Sequence, residues 1–357
     1  MGNDLTKEKD YLNILRILAM YLVMLNHRPI YMYALNTSDN VLLVISVLIS
    51  IIIKCGPPLF FIISGILLLP KDESILYIFK HRIVIILLVM FACSIWQNRT
   101  NLGFYSIVYS LLFKLNWYFY FYIGYLILLP FLRKLIHSLD NKYKKYLYIL
   151  IILYYLMAWV IYMVDVSESI FRGLFRLTVN NDPSIIWFII FPIIGYLIVD
   201  SYEKENNKIK VVIKNVCYSI LTLMYGIYAS SMEAINLNGE RFEVINQYSI
   251  IFVTQLFVIL AIFCNGIVIR SKIIKQCISN LSKATFVMFV IETNTGYTQK
   301  VCNIMICFLQ DFFPSYVLYL LGTFLALMVG LFTITILKRI IRSTTKLIKY
   351  NRKSHLK

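Results

Sequence analysis

Two ionisable side chains interrupt the first apolar run of the chain, Arg16 and His27 at the ends of RILAMYLVMLNH. Charged or titratable groups are expensive in a bilayer, so each is a functional hypothesis by default. In a helix, eleven residues bring the two to within about 20° of one another, with roughly 16 Å of rise between them. They share a face. An unperturbed imidazole, with its pKa near ~6.5, can take a proton from a hydroxyl and return it, which a group transfer to an alcohol requires. A guanidinium stays charged and grips phosphate or carboxylate in a fork. The plainer readings are an interfacial histidine bonded to Asn26 and a snorkelling arginine. The common face argues against them, because a snorkeller has no reason to align with the histidine.

Other polar residues stand out against the same apolar background. Glu292, within FVIETN, is a lone carboxylate that must be paired, protonated or turned to water. It has three possible roles: pairing with Arg16, pairing with Lys54, or orienting His27. Ser64 precedes Gly65, and Ser-Gly in an apolar helix is more often a close-packing site than a nucleophile, so Ser64 is read as a lining residue. The seven cysteines are scattered, without CxxC or Cys/His ligand spacing. They read as packing residues, and no metal site is expected.

The elements that must hold these groups are membrane helices. The chain is 60% hydrophobic and only 15% charged, with a mean hydropathy of +0.74, whereas a soluble chain carries about 25% charged residues. Apolar runs near the ~20 residues needed to cross a bilayer recur at 11–30, 42–69, 82–99, 116–134, 145–164, 184–200, 211–230, 249–268, 284–308 and 314–338. The expected fold is therefore an all-α integral membrane bundle of about ten transmembrane helices. The net charge of +17 sits in short clusters between these runs: Lys7/Lys9, Lys80/Arg82, Arg133 to Lys145, Lys204 to Lys214, Arg270 to Lys283, and Lys338 onward. That distribution is the positive-inside pattern rather than a nucleic-acid face. It makes both termini cytoplasmic and puts His27 alone of the four histidines toward the outer side. Trp96, Trp117, Trp159 and Trp187 fall at outer span ends, as interfacial rings do. No cleavable leader is evident, since the first run lacks a small-residue cleavage site. The second run is too long and is broken by Pro57 and Pro58, which makes Lys54, Gly56 and Pro57 either a pocket wall or an ordinary proline kink.

With these residues in view, the chain resembles the membrane acyltransferase-3 family. Arg16 to His27 is similar to that family's opening arginine-to-histidine signature. GPPLFFIISGILLLP (Gly56 to Pro70) resembles its second span, and His81-Arg82 follows where the family carries a cytoplasmic arginine. NWYFYFYIGYLILLPFLRKL (Asn116 to Leu135) and WFIIFPIIGYLI (Trp187 to Ile198) resemble its Trp-Phe-Tyr and Gly-Tyr spans. Near the end the chain departs from the pattern: where many members carry a histidine, it reads FVMFVIETN, with Glu292 and Asn294.

The resemblance implies one acyltransferase-type transmembrane domain over 1–342, a basic cytoplasmic tail over 343–357, and a multi-pass place in the cell membrane. It implies transfer of an acyl group, acetyl first, from acyl-CoA as donor substrate to a hydroxyl of a surface or lipid-linked polysaccharide, with no bound cofactor. His27 would be the general base. Arg16 would be the second catalytic residue, Arg82 and Ser64 would bind the donor, and Trp117, Tyr118, Lys54, Glu292 and Asn294 would line the pocket. Two rivals stand beside this reading: a transporter or flippase of lipid-linked glycans, which also needs intramembrane charges, and a glycan polymerase, for which Arg172 and Arg176 could grip a pyrophosphate-linked sugar.

Overall fold

The computed structural model describes residues 10–27, 52–100, 102–163, 185–204, 271–312 and 315–354, with scattered positions between 209 and 261. The expected spans 211–230 and 249–268, and Arg172 and Arg176, lie largely or wholly outside the described residues. Among those described, every regular element is a helix. Three are long and apolar enough to cross a membrane: Ile75–Gln97, Trp117–Ser138 and Val317–Ile341. Their large apolar side chains stay exposed, for example Leu88 at 63% and Phe131 at 70%. In water such a surface would be an aggregation liability, whereas in lipid it is solvated.

α1 (Asp10–Asn26), which carries Arg16 and ends just before His27, is the central helix. Tyr11, Leu12, Leu15, Ala19, Met20, Leu22, Val23, Met24 and Leu25 are all buried, as expected of a helix apolar all round. α2 (Gly56–Leu68) carries Pro57 and Pro58 in its first turn, where a missing N–H costs nothing. The prolines thus start a helix after a break at Cys55, within the longer apolar stretch Ile52–Leu68. Gly56 and Gly65 are nine residues apart, about 180° around α2, and each meets a different neighbour. A methyl on Gly56 would lie 2.8 Å from the backbone nitrogen of Val23 in α1. One on Gly65 would fall on the carbonyl of Pro192 in a later helix (Ile185–Lys204). At Gly56 the start of α2 is thus in close backbone contact with α1.

α3 (Ile75–Gln97) contains a π-helical turn at Phe79–Ile83, and α4 (Phe104–Lys114) follows it. α5 (Trp117–Ser138) is capped by Asn116, whose side chain accepts from the Tyr118 amide at 3.0 Å. α6 (Asn141–Met163) leads to α7 (Ile185–Lys204), whose Gly195 approaches Ile62 of α2 so closely that a methyl there would be 2.6 Å from its carbonyl oxygen.

The expected span 284–308 is two helices. α8 (Lys272–Ser282) and α9 (Thr285–Thr295) run up the bundle, Gly296 turns left-handed at φ +58°, and α10 (Tyr297–Leu309) begins there. A glycine suits this turn because it adopts positive φ without steric penalty. α11 (Ser315–Ser354) is 40 residues long and continues unbroken past residue 342 into the basic tail.

α1 and the α8–α9 pair run parallel with one constant register. Asp10 pairs with Lys275 at 2.8 Å, Arg16 donates to Ser282 Oγ at 3.5 Å, and His27 meets Glu292 at 3.3 Å. The sequence offsets are 265, 266 and 265. Runs one and nine of the expected threading require that parallel relation.

Candidate active site

Arg16 and His27 both turn toward the α8–α9 pair, at opposite ends of the shared seam. Arg16 is half-buried and reaches Asn13 Oδ1 and Ser282 Oγ, each at 3.5 Å. His27 closes the other end. Its Nδ1 lies 3.3 Å from Glu292 Oε1, with the imidazole 36% exposed and the carboxylate 3% exposed. Of the three roles open to Glu292, orienting His27 is the one this geometry shows.

Glu292 is itself held. Its other oxygen, Oε2, accepts from the Thr298 amide at 2.9 Å and from Thr298 Oγ1 at 2.7 Å. Thr298 is in the first turn of α10, so the carboxylate sits at a helix N-terminus, where unsatisfied amides and the helix dipole favour negative charge. The sharp turn at Gly296 makes this possible by folding the start of α10 back onto the last turn of α9. A carboxylate fixed on Nδ1 selects the tautomer with its proton there. The remaining nitrogen, Nε2, then carries the lone pair, as a general base requires.

On the basic side of the same seam lies a cavity of about 1260 Å³, above the ~300–1,000 Å³ typical of pockets for drug-sized ligands. Arg16, Ser64, Arg82 and Tyr118 line it, together with Tyr122, His137, Ser282 and Phe289. Ser64 Oγ donates to the Tyr122 hydroxyl at 3.4 Å. Tyr118 stacks on Tyr122 with ring centres 5.7 Å apart and meets the edge of Phe289 at 5.2 Å. Phe289 is one helical turn before Glu292, so the end of the cavity lies about 4.5 Å of helix rise from the dyad. His27 and Glu292 are not among the lining residues.

Lys54, Trp117 and Asn294 do not line this cavity either. Lys54 is half-buried beside the break at Cys55. Trp117 begins α5 and packs edge-on against Phe121 at 5.5 Å. Asn294 ties α9 to α3, accepting from Gln97 Nε2 at 3.2 Å and donating to Cys93 Sγ at 3.2 Å.

Arg82 lines the cavity from within the π-helical segment Phe79–Ile83, a feature frequent at functional sites. It is already engaged. Glu73 takes its guanidinium in a fork, with Nε to Oε2 at 3.1 Å and Nη2 to Oε1. The same carboxylate meets Arg133 Nη2 at 3.0 Å. Burial pushes the Glu73 carboxyl upward, and the hydrogen bonds and charges of the two arginines outweigh that, holding it below the ordinary carboxylate range. Arg133 is only 7% exposed and also donates to the Leu68 carbonyl at 2.8 Å, while His137 Nε2 lies 2.9 Å from the Leu69 carbonyl. These two side chains satisfy carbonyls at the C-terminal end of α2 that the helix itself leaves open. Glu73 thus joins Arg82, which lines the cavity, to Arg133, which does not.

Sequence reasoning did not find Glu73, Arg133 or His137 as site residues. Arg133 and His137 fell within a basic cluster, and their partners lie 60 and 68 residues away in the chain.

A family model described as an acyltransferase domain matches residues 9–339. No curated protein and no solved structure matches the chain.

Proposed function

The chain belongs to the membrane acyltransferase-3 family, and from that premise we propose that it is an O-acyltransferase of the cell membrane. It moves an acyl group, acetyl first, from acyl-CoA to a hydroxyl of a cell-surface or lipid-linked polysaccharide. The observation that carries the reading is the His27–Glu292 dyad at one end of a seam whose other end opens into an arginine-lined cavity.

In this reading the donor enters from the basic side, its phosphates meeting Arg82 and Arg16. Its thioester passes Ser64 and Tyr118 toward Phe289. The acceptor hydroxyl approaches from the His27 side. Nε2 of His27 takes the hydroxyl proton as the oxygen attacks the thioester carbon. The tetrahedral oxyanion collapses, the C–S bond breaks, and the imidazolium returns its proton to the leaving thiolate. Glu292 keeps Nδ1–H in place and stabilises the imidazolium between the two transfers. Proton transfer by a positioned histidine is worth about 10²–10⁴-fold in rate. Ser64 and Tyr118 carry hydroxyls suited to the oxyanion, the kind of donor that contributes most when preorganised.

The test is the O-acyl content of surface glycans by proton NMR in cells with the intact gene, a deletion, and His27→Ala at matched level. Loss of the acyl signal in both altered strains supports the proposal. An acyl signal that persists while glycan length or export changes sinks it in favour of a polymerase or transporter.

A further inference from the structure

A second concavity lies between α8 and α11, about 550 Å³ in volume. Lys283, Lys338 and Arg339 line it, with the amides of Gln276 and Asn280 and the hydroxyl of Thr335. None of its lining residues is a carboxylate, whereas the main cavity holds Asp72, Glu73, Asp200 and Glu203. Lys338 Nζ donates to the Lys283 carbonyl at 2.9 Å, which ties the end of α8 to α11 and fixes that ammonium in the groove.

The groove lies beside the last turns of the apolar span of α11. On the other faces of the same turns of α11, Ile336, Leu337, Ile340 and Ile341 are 52–63% exposed, and the apolar span of α11 ends at Ile341. On α8, Ile273 is 80% exposed. Cations and amides are thus bracketed by apolar surface that only lipid would solvate. Basic pockets between membrane helices recognise phosphate-bearing headgroups.

We propose that this groove binds the phosphate of an anionic phospholipid from the leaflet on the basic side. The lipid's acyl chains lie along the exposed isoleucines of α11, and its phosphate meets Lys338, Arg339 and Lys283. The same phosphate chemistry belongs to inorganic phosphate and to the nucleotide end of acyl-CoA. The apolar flanks favour the lipid, which arrives sideways through the bilayer.

Native mass spectrometry of the purified full-length chain, titrated with phosphatidylglycerol or phosphatidylcholine, tests this. One phosphatidylglycerol is expected to bind, in preference to phosphatidylcholine. Each basic group near an anionic surface is worth about fivefold in affinity, so Lys338→Ala with Arg339→Ala should weaken binding roughly 25-fold. Lys80→Ala, on an exposed side chain outside the groove, should leave it unchanged. Arg339 is exposed, so Arg339→Ala alone gives a reading even if the double variant melts. Equal affinity for the two lipids, or unchanged affinity in Arg339→Ala, overturns the proposal. Displacement of the lipid by inorganic phosphate or by acetyl-CoA also overturns it, and assigns the groove to a soluble phosphate.

Discussion

Replacing Glu292 with glutamine turns one oxygen of the dyad into an amide nitrogen and leaves the side-chain volume nearly unchanged. Thr298 offers two donors to Oε2, at 2.9 and 2.7 Å, so the amide oxygen takes that side and the NH₂ faces His27. An NH₂ can only donate, so Nδ1 becomes the acceptor and the ring proton moves to Nε2. The nitrogen meant to receive the hydroxyl proton is then blocked. A comparable carboxylate-to-amide change behind a catalytic histidine costs about 10⁴-fold in serine proteases. Here the imidazole is 36% exposed, and water can restore part of the working tautomer, so a loss of about 10²–10³-fold in kcat is expected. KM for the donor should move little, because Glu292 does not line the cavity. The assay is transfer of radiolabelled acetyl from acetyl-CoA into the glycan fraction of membranes. Glu292→Asp, which keeps the charge one methylene short, should recover part of the rate. A glutamine variant with kcat within about threefold of the parent refutes the orienting role, since general-base catalysis alone should cost more.

Phe289→Leu removes the ring between the cavity and the dyad. Transfer of butyryl relative to acetyl should rise by at least about tenfold, the discrimination that a methylene or two usually carries, measured by competition between the two donors. Gly65→Ala forces a methyl onto the Pro192 carbonyl; such overpacking costs about 1–3 kcal/mol or more, and the folded yield in fluorescence-detected size exclusion should fall sharply. The Glu73 carboxyl is depressed in the folded state, so its contribution is present above the ordinary value of 4.5 and lost as pH falls through the lower folded one. The melting temperature in detergent should therefore decline below about pH 4.5, and Glu73→Gln should show less of that decline.

The alignment of Arg16 with His27 was legible because helical periodicity is local, and the two residues bound one apolar stretch. The partner of His27 was legible only as one of three roles for Glu292. Choosing among them required knowing that the run 284–308 breaks, and its length and apolarity gave no reason to split it. One signal was available: Gly296 follows Asn294 and Thr295 where a helix would end in a left-handed residue. Glu73 and Arg133 could not be paired from sequence, because a loop carboxylate and a helical arginine 60 residues apart carry no shared period. Pro57 and Pro58 were legible as a break, but its use, pocket wall or ordinary kink, was not, and the close contact of Gly56 with α1 carried no sequence signal.

That contact belongs to a larger device. Gly56 joins α2 to α1, and Gly65 with Gly195 joins α2 to α7, each with backbone against backbone. Side chains can change rotamer to let helices slide, but bare backbones in contact cannot, so these three helices act as a fixed jaw. Arg16, His27 and Ser64 are all mounted on it. Irregular backbone lies outside this jaw, at the π-helical turn of α3 and at the glycine joint between α9 and α10, and those are the places where the bundle has room to give.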